Sequence, residues 1–197
     1  MNERTALILA GSGETDSYQR DLFTAQVRST VRYADPAAWI TATAVANALA
    51  ESGDLLAKWQ HEIGMIAISD HGPGKSMAKM QADGDTGFSS PLHYAASSPG
   101  TLVGVSAIAF GLRGPTLNLT MDPRDGLAVA LTMCASWLQR KAARMMVVAT
   151  CRDLGPEKMM SRAVLLAPSE FSGPSEPLTE SKADWLTSCG LADGVER

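Results

Sequence analysis

The sequence predicts an α/β domain: a mixed, largely parallel sheet around a buried central helix. Three observations predict it. Short apolar runs bounded by turn residues recur between helical stretches, at residues 6–10, 63–68, 117–121, 144–150 and 163–167. Strands that alternate with helices specify a sheet covered by helices. Leu127, Leu131, Cys134 and Leu138 recur at helical spacing, and Ala128, Ala130, Ala135 and Trp137 make the other faces apolar too. A helix that is apolar nearly all round belongs inside a domain. Aromatic residues are only 6% of the chain, so the core is built from aliphatics, Ala and Met, with helices packed closely.

The elements follow in order. Residues 6–10 are a buried strand closed by the tight turn Gly11-Ser12-Gly13. A dinucleotide fingerprint would need a third glycine at position 16, which is Asp16, so no cofactor is expected there. Residues 18–31 form a helix capped by Asp16 or Ser17. Asp35-Pro36 opens the next helix, with Asp as cap and Pro in the first turn, and the helix runs to residue 49 or 50. Residues 55–61 are a short helix and residues 63–68 a buried strand. A loop follows, Ser69-Asp70-His71-Gly72-Pro73-Gly74-Lys75-Ser76, one residue from a phosphate-binding P-loop. Pro73 removes an N–H donor from it, and Gly84 and Gly87 shorten the helix behind it. Ser90-Pro91 and Ser98-Pro99 open two further helices, and the second ends at Gly111 and Gly114-Pro115. Leu117, Asn118, Leu119, Thr120 and Met121 are a strand that alternates in polarity. A sharp turn through Asp122, Pro123, Arg124 and Asp125 leads into the apolar helix from Leu127. Strands at residues 144–150 and 163–167 close the domain at residue 168. Residues 169–197 read as a Pro/Ser/Glu-rich tail with a short helix at 183–189, anchored by Trp185.

Composition narrows the function classes. A chain of 197 residues suits one main domain with a full core. The net charge of −4 gives no reason to expect nucleic acid or an anionic membrane surface as partner. No apolar run is long enough to span a bilayer and no signal peptide is recognisable, so the expected location is the cytoplasm. Three separated cysteines, Cys134, Cys151 and Cys189, argue against a disulfide framework and a metal site.

A family resemblance emerges at Phe88-Ser89-Ser90-Pro91, then Gly104-Val105-Ser106-Ala107-Ile108-Ala109-Phe110-Gly111-Leu112-Arg113-Gly114-Pro115, then Gly126-Leu127-Ala128 with its alanine-rich helix. These stretches resemble the N-terminal half of the β-ketoacyl synthases. Tyr33-Ala34-Asp35 and Ile63-Gly64-Met65 fit the same pattern, and the likeness covers roughly residues 5–167. It implies the layered α-β-α half of the thiolase fold and a place in fatty-acid or polyketide assembly. In that family the turn after the Gly-Pro strand carries a cysteine nucleophile. Aligned without a gap, that position falls on Pro123, flanked by Asp122, Arg124 and Asp125. Proline offers neither a nucleophile nor the N–H of an oxyanion site, and the two acids repel developing negative charge. The family's two histidines belong to a second half, whereas His61, His71 and His93 all precede the turn.

Three functions stay open on these residues. The first is a non-catalytic ketosynthase-like protein, similar to chain-length factors, that pairs with an active ketosynthase or with itself. Its interface would be the strand Leu117, Asn118, Leu119, Thr120 and Met121, with an acyl carrier protein as a further partner. Apolar surface left bare by an absent second half would also ask for a partner. The second is different chemistry on the same scaffold, through Asp122 and Asp125 with Arg124 and His93; the plainer alternative is that these acids cap the helix. The third is nucleotide binding at Gly72-Pro73-Gly74-Lys75-Ser76.

Overall fold

The structure, a computed structural model, describes residues 6–87, 90–155, 158–173 and 175–188. In chain order the elements are β1 (Leu7–Thr15), α1 (Ala25–Thr30), α2 (Pro36–Glu51), α3 (Leu55–Trp59), β2 (Ile63–Ser69), α4 (Gly74–Asp85), α5 (Pro91–Ala96), α6 (Thr101–Phe110), β3 (Thr116–Thr120), α7 (Pro123–Gln139), β4 (Met145–Asp153), β5 (Met159–Pro168), β6 (Glu176–Pro177) and α8 (Glu180–Thr187). The strands form one sheet in the order β3-β2-β4-β5-β1-β6. β3, β2 and β4 are parallel, while β5, β1 and β6 join antiparallel, so the sheet is mixed.

The sheet is covered on both faces. Along β2 and β4, Met65, Ala67, Val147 and Ala149 point to one side, against α2 and α6. Their neighbours Ile66, Ile68, Met146 and Val148 point to the other, against α7 and α8. Burial on both faces explains why these strands read as unbroken apolar runs. Among the described residues no helix is long and apolar enough to cross a membrane.

The enclosed helix is α2, not the helix from Leu127. Ala44 and Ala48 of α2 face the sheet, while Ala38 and Ala42 lie under Phe23 and Val105. α7 buries one stripe, Pro123, Gly126, Leu127, Ala130, Cys134 and Leu138. Its outer face is open, with Val129 44% exposed. The expectation of burial all round fails because alanine suits both buried and exposed helix positions. Composition alone therefore does not tell them apart.

Gly11-Ser12-Gly13 is not a turn but the middle of β1. A Cβ on Gly11 would collide with the Ala48 carbonyl, and one on Gly13 would lie 2.5 Å from Ala48 N. The glycines let α2 rest directly on the strand backbone. The helix expected over 18–31 is broken instead. A short 3₁₀ turn and α1 flank Phe23, which is extended and only 3% exposed. Burying that ring against Trp39 and Phe110 interrupts the helix, and Thr24, not Asp16 or Ser17, caps α1. β4 and β5 run further than expected, through an antiparallel pairing of Cys151 with Ser161 and Asp153 with Met159.

The described residues after 168 also join the core. In α8 the deepest anchor is Leu186, 1% exposed, whose carbonyl accepts from Thr150 Oγ1 at 2.7 Å. Trp185 is held at the rim: its Nε1 donates to Glu14 at 3.1 Å, and Lys182 and Arg162 lie over its ring. Cys189, at the expected end of this helix, lies outside the described residues, as do Phe88 and Ser89 of the Ser-Pro motif.

Candidate functional site

Three parallel strands end side by side. In the register, Ser69 faces Thr120 on one side and Cys151 on the other. Met121 N–H donates to the Ser69 carbonyl at 3.1 Å, which extends the ladder to the start of the turn. Segments leaving the carboxyl ends of parallel strands form the crevice where α/β proteins bind ligands. Here they are the turn at 121–123, the loop after Ser69 and the end of β4 at Arg152.

The turn residues belong to a helix. α7 starts at Pro123, so Pro123, Arg124 and Asp125 are its first turn rather than a loop before Leu127. Asp122 is the N-cap, accepting from Arg124 N–H at 2.8 Å. Pro123 is buried where the family resemblance expects a thiol. Gly126 comes next because the helix lies against β2 there; a Cβ would be 2.6 Å from Ile68 Cγ2.

Arg152 completes the arrangement, and nothing in the sequence drew attention to it. It is 9% exposed and its Nη2 donates to Asp122 Oδ1. Partial burial works to raise the Asp122 carboxyl. The hydrogen bond from Arg124 N–H and the charge of Arg152 outweigh it and hold the group below its ordinary 3.8. An ionised, paired carboxylate thus sits at the head of α7, aligned with the helix dipole. Asp125 is exposed on the outer side of the same turn.

Among the described residues, none of the cysteine or histidine candidates forms a nucleophile there. Cys134 is fully buried on α7, and burial pushes its thiol up to about 12. Cys151 is buried at the end of β4 against the Ala37 carbonyl. His93 pairs with Asp83 at 2.8 Å, between α4 and α5. His71 pairs with its neighbour Asp70 at 3.0 Å and is exposed.

The P-loop-like stretch is built differently from a phosphate cradle. Gly74, Lys75 and Ser76 lie inside α4, a 12-residue helix that runs through Gly84 and ends at Asp85, so Gly84 does not break it. The N–H of Ser76 donates to Asp35 Oδ2 at 2.7 Å. The other oxygen of that carboxylate accepts from Ala37 N–H at 2.8 Å. A buried acid therefore already holds one of the donors that a phosphate would use, and it ties the first turns of two helices together.

β3 is the edge of the sheet. Because Met121 N–H donates to β2, the N–H groups of Asn118 and Thr120 turn the other way, to the open edge. Asn118 is half-buried, and its Oδ1 is enclosed without a hydrogen-bond partner.

Comparison with solved structures places this architecture. The ishigamide ketosynthase/chain length factor superposes with a TM-score of 0.64 at 10% identity, over 88% of this chain and 64% of that one. A type II polyketide acyl-carrier protein in complex with its ketosynthase gives 0.64 at 13% identity, over 85% and 64%. The fold is the thiolase-like fold of the ketosynthases. The complex of the ketosynthase ApeO with its chain length factor ApeC, from Xenorhabdus doucetiae, includes a chain that superposes at 0.61 with 16% identity, over 92% of each. The chain thus spans less than two thirds of the first two. No family model matches the sequence, and no curated protein matches it.

Proposed function

We propose that the chain is a non-catalytic ketosynthase-like subunit of polyketide or fatty-acid assembly that pairs with an active ketosynthase through the open edge of β3. The observation that carries this reading is the head of α7. Buried Pro123 supplies neither thiol nor N–H, and Asp122 with Arg152 fills the place with an internal ion pair. Acyl transfer needs a thiolate, and Cys134 is held as a buried thiol.

The partner half of the reading rests on β3. Its outward N–H groups and half-buried Leu117, Asn118 and Leu119 form an unpaired strand edge, which invites pairing with another chain. The likeness over 92% of a chain from the ApeO–ApeC complex supports a heteromeric setting. The strand Leu117, Asn118, Leu119, Thr120 and Met121 would then lie against its counterpart, with an acyl carrier protein acting on the assembled pair.

The test is co-expression with a ketosynthase encoded beside it, followed by light scattering on a sizing column. A one-to-one complex is expected. Asn118→Pro removes an outward N–H without touching the bonds to β2, so it should abolish the complex and leave the isolated chain folded. A complex that survives Asn118→Pro refutes the β3 interface. A chain that ignores every such ketosynthase, or that carries covalent acyl groups by mass spectrometry, refutes the reading as a whole.

A further inference from the structure

We infer that the apolar groove between α1, α5 and α6 binds an uncharged molecule with a linear alkyl chain. The groove encloses about 310 Å³. That is the size of a small-molecule site, and too small to seat a helix, which with its side chains is about 10–12 Å across. Ala96 and Val105, both buried, form its floor. Tyr33, Leu92 and Ile108 form its rim and are 40%, 47% and 50% exposed. Gly104 of α6 adds no side chain, and a Cβ there would meet nothing within 4 Å, so the trough stays open beside it. An apolar rim facing water is the surface that an alkyl chain would cover. None of these residues belongs to the turn at Pro123 or to β3, and the inference does not depend on the partner reading above.

Charge decides the class of ligand. Every described residue that lines the groove is uncharged. A charged head group would give up water there without an ionic partner. The polar cavity next to the groove, which shares Tyr33 and Ala96 with it, does not supply one. Asp35 and Asp83 stand against Lys79 there, so no positive charge is left over for an anion. The oxygens of Asp35 are taken by the N–H groups of Ala37 and Ser76, and Asp83 holds His93, so neither acid is free for an ammonium. Two hydroxyls of the groove are turned to their own helices: Thr30 Oγ1 donates to the Gln26 carbonyl at 2.9 Å and Thr101 Oγ1 to the Ser98 carbonyl at 2.8 Å. The hydroxyls of Tyr33 and Ser98 have no hydrogen-bond partner among the described residues. They suit a neutral oxygen on the ligand, as in an alcohol or an ester.

Calorimetric titration of the full chain with 1-decanol tests this, with 1-octanol, decanoate and decylammonium in parallel. Decanol should bind. Octanol should bind about tenfold more weakly, because two fewer methylenes leave water. Decanoate and decylammonium should each bind about tenfold more weakly than decanol or worse. Gly104→Leu fills the groove, and leucine favours a helix more than glycine does, so the chain should stay folded by circular dichroism and lose decanol binding. Leu92→Ser, on the exposed rim, should weaken decanol about fivefold with the melting temperature unchanged. Absence of decanol binding, octanol or either charged congener binding as tightly as decanol, or full affinity in Leu92→Ser or in a folded Gly104→Leu chain each overturns the inference.

Discussion

Replacing Asp35 tests how the α2 side of the molecule is held together. This carboxylate is fully buried and accepts from Ala37 N–H with one oxygen and from Ser76 N–H with the other. Losing a helix cap costs about 1 kcal/mol. Losing a hydrogen bond to a charged acceptor costs roughly 1.5–3 kcal/mol, because the donor is left dry. Asp35→Ala should therefore destabilise the chain by about 2–4 kcal/mol, a large share of a typical domain's stability. Asp35→Asn keeps one carbonyl oxygen and so satisfies only one of the two donors; it should cost about half as much. Urea unfolding followed by circular dichroism reads both through the midpoint, with an unchanged slope showing that the unfolded state is unaffected. Faster hydrogen exchange at Ser76 in Asp35→Asn would locate the loss at α4. An Asp35→Asn variant as stable as the parent would refute the bridging role.

Other outcomes come from the same structure. Gly13→Ala should cost about 2 kcal/mol or more in urea unfolding, because its Cβ would press on the α2 backbone; a neutral effect would mean that the helix does not rest on β1. Asp122 is ionised below its ordinary 3.8, so its contribution is full above that value and is lost as pH falls through the lower folded-state value. With its side chain 41% exposed, screening keeps that contribution to about 1 kcal/mol or less. Asp122→Asn should flatten the stability curve below pH 4, and an unchanged acid limb would refute the pairing with Arg152. Cys134, pushed up to about 12, should resist iodoacetamide at pH 8 until the chain unfolds, read by peptide mass spectrometry; rapid native labelling would contradict its burial.

Features that depend on neighbours along the chain were legible in the sequence. The Asp35-Pro36 start of α2 is visible because cap and helix are adjacent, and β2 and β4 are visible as apolar runs. The Asp122-Pro123 start of α7 reads as a turn, although an acidic cap followed by proline is the same local signal that marks α2. Features set by distant contacts were hidden. Gly11 and Gly13 look like a turn until α2 is seen lying on them. Phe23 breaks a helix only because a pocket awaits its ring. Arg152 could not be paired with Asp122 across 30 residues by any local rule. The same holds for Arg162, a charged residue within a strand, which is accommodated by Glu14, Trp185 and Ser188 from two other elements.

The placement of β1 has a consequence for how the chain is made. Its two neighbours are β5 and β6, so Leu9 waits for Leu166 and Glu176. Closing a loop of that length costs about 4 kcal/mol in chain entropy, and such non-local pairing slows folding. During synthesis the first strand emerges from the ribosome long before its partners exist. Until then it can only lie on α2, with its backbone edges bare and its glycines offering little to hold it. A nascent chain stalled before residue 159 should therefore be the species that chaperones capture and that aggregates most readily. One in which residue 177 has cleared the ribosome can close the sheet.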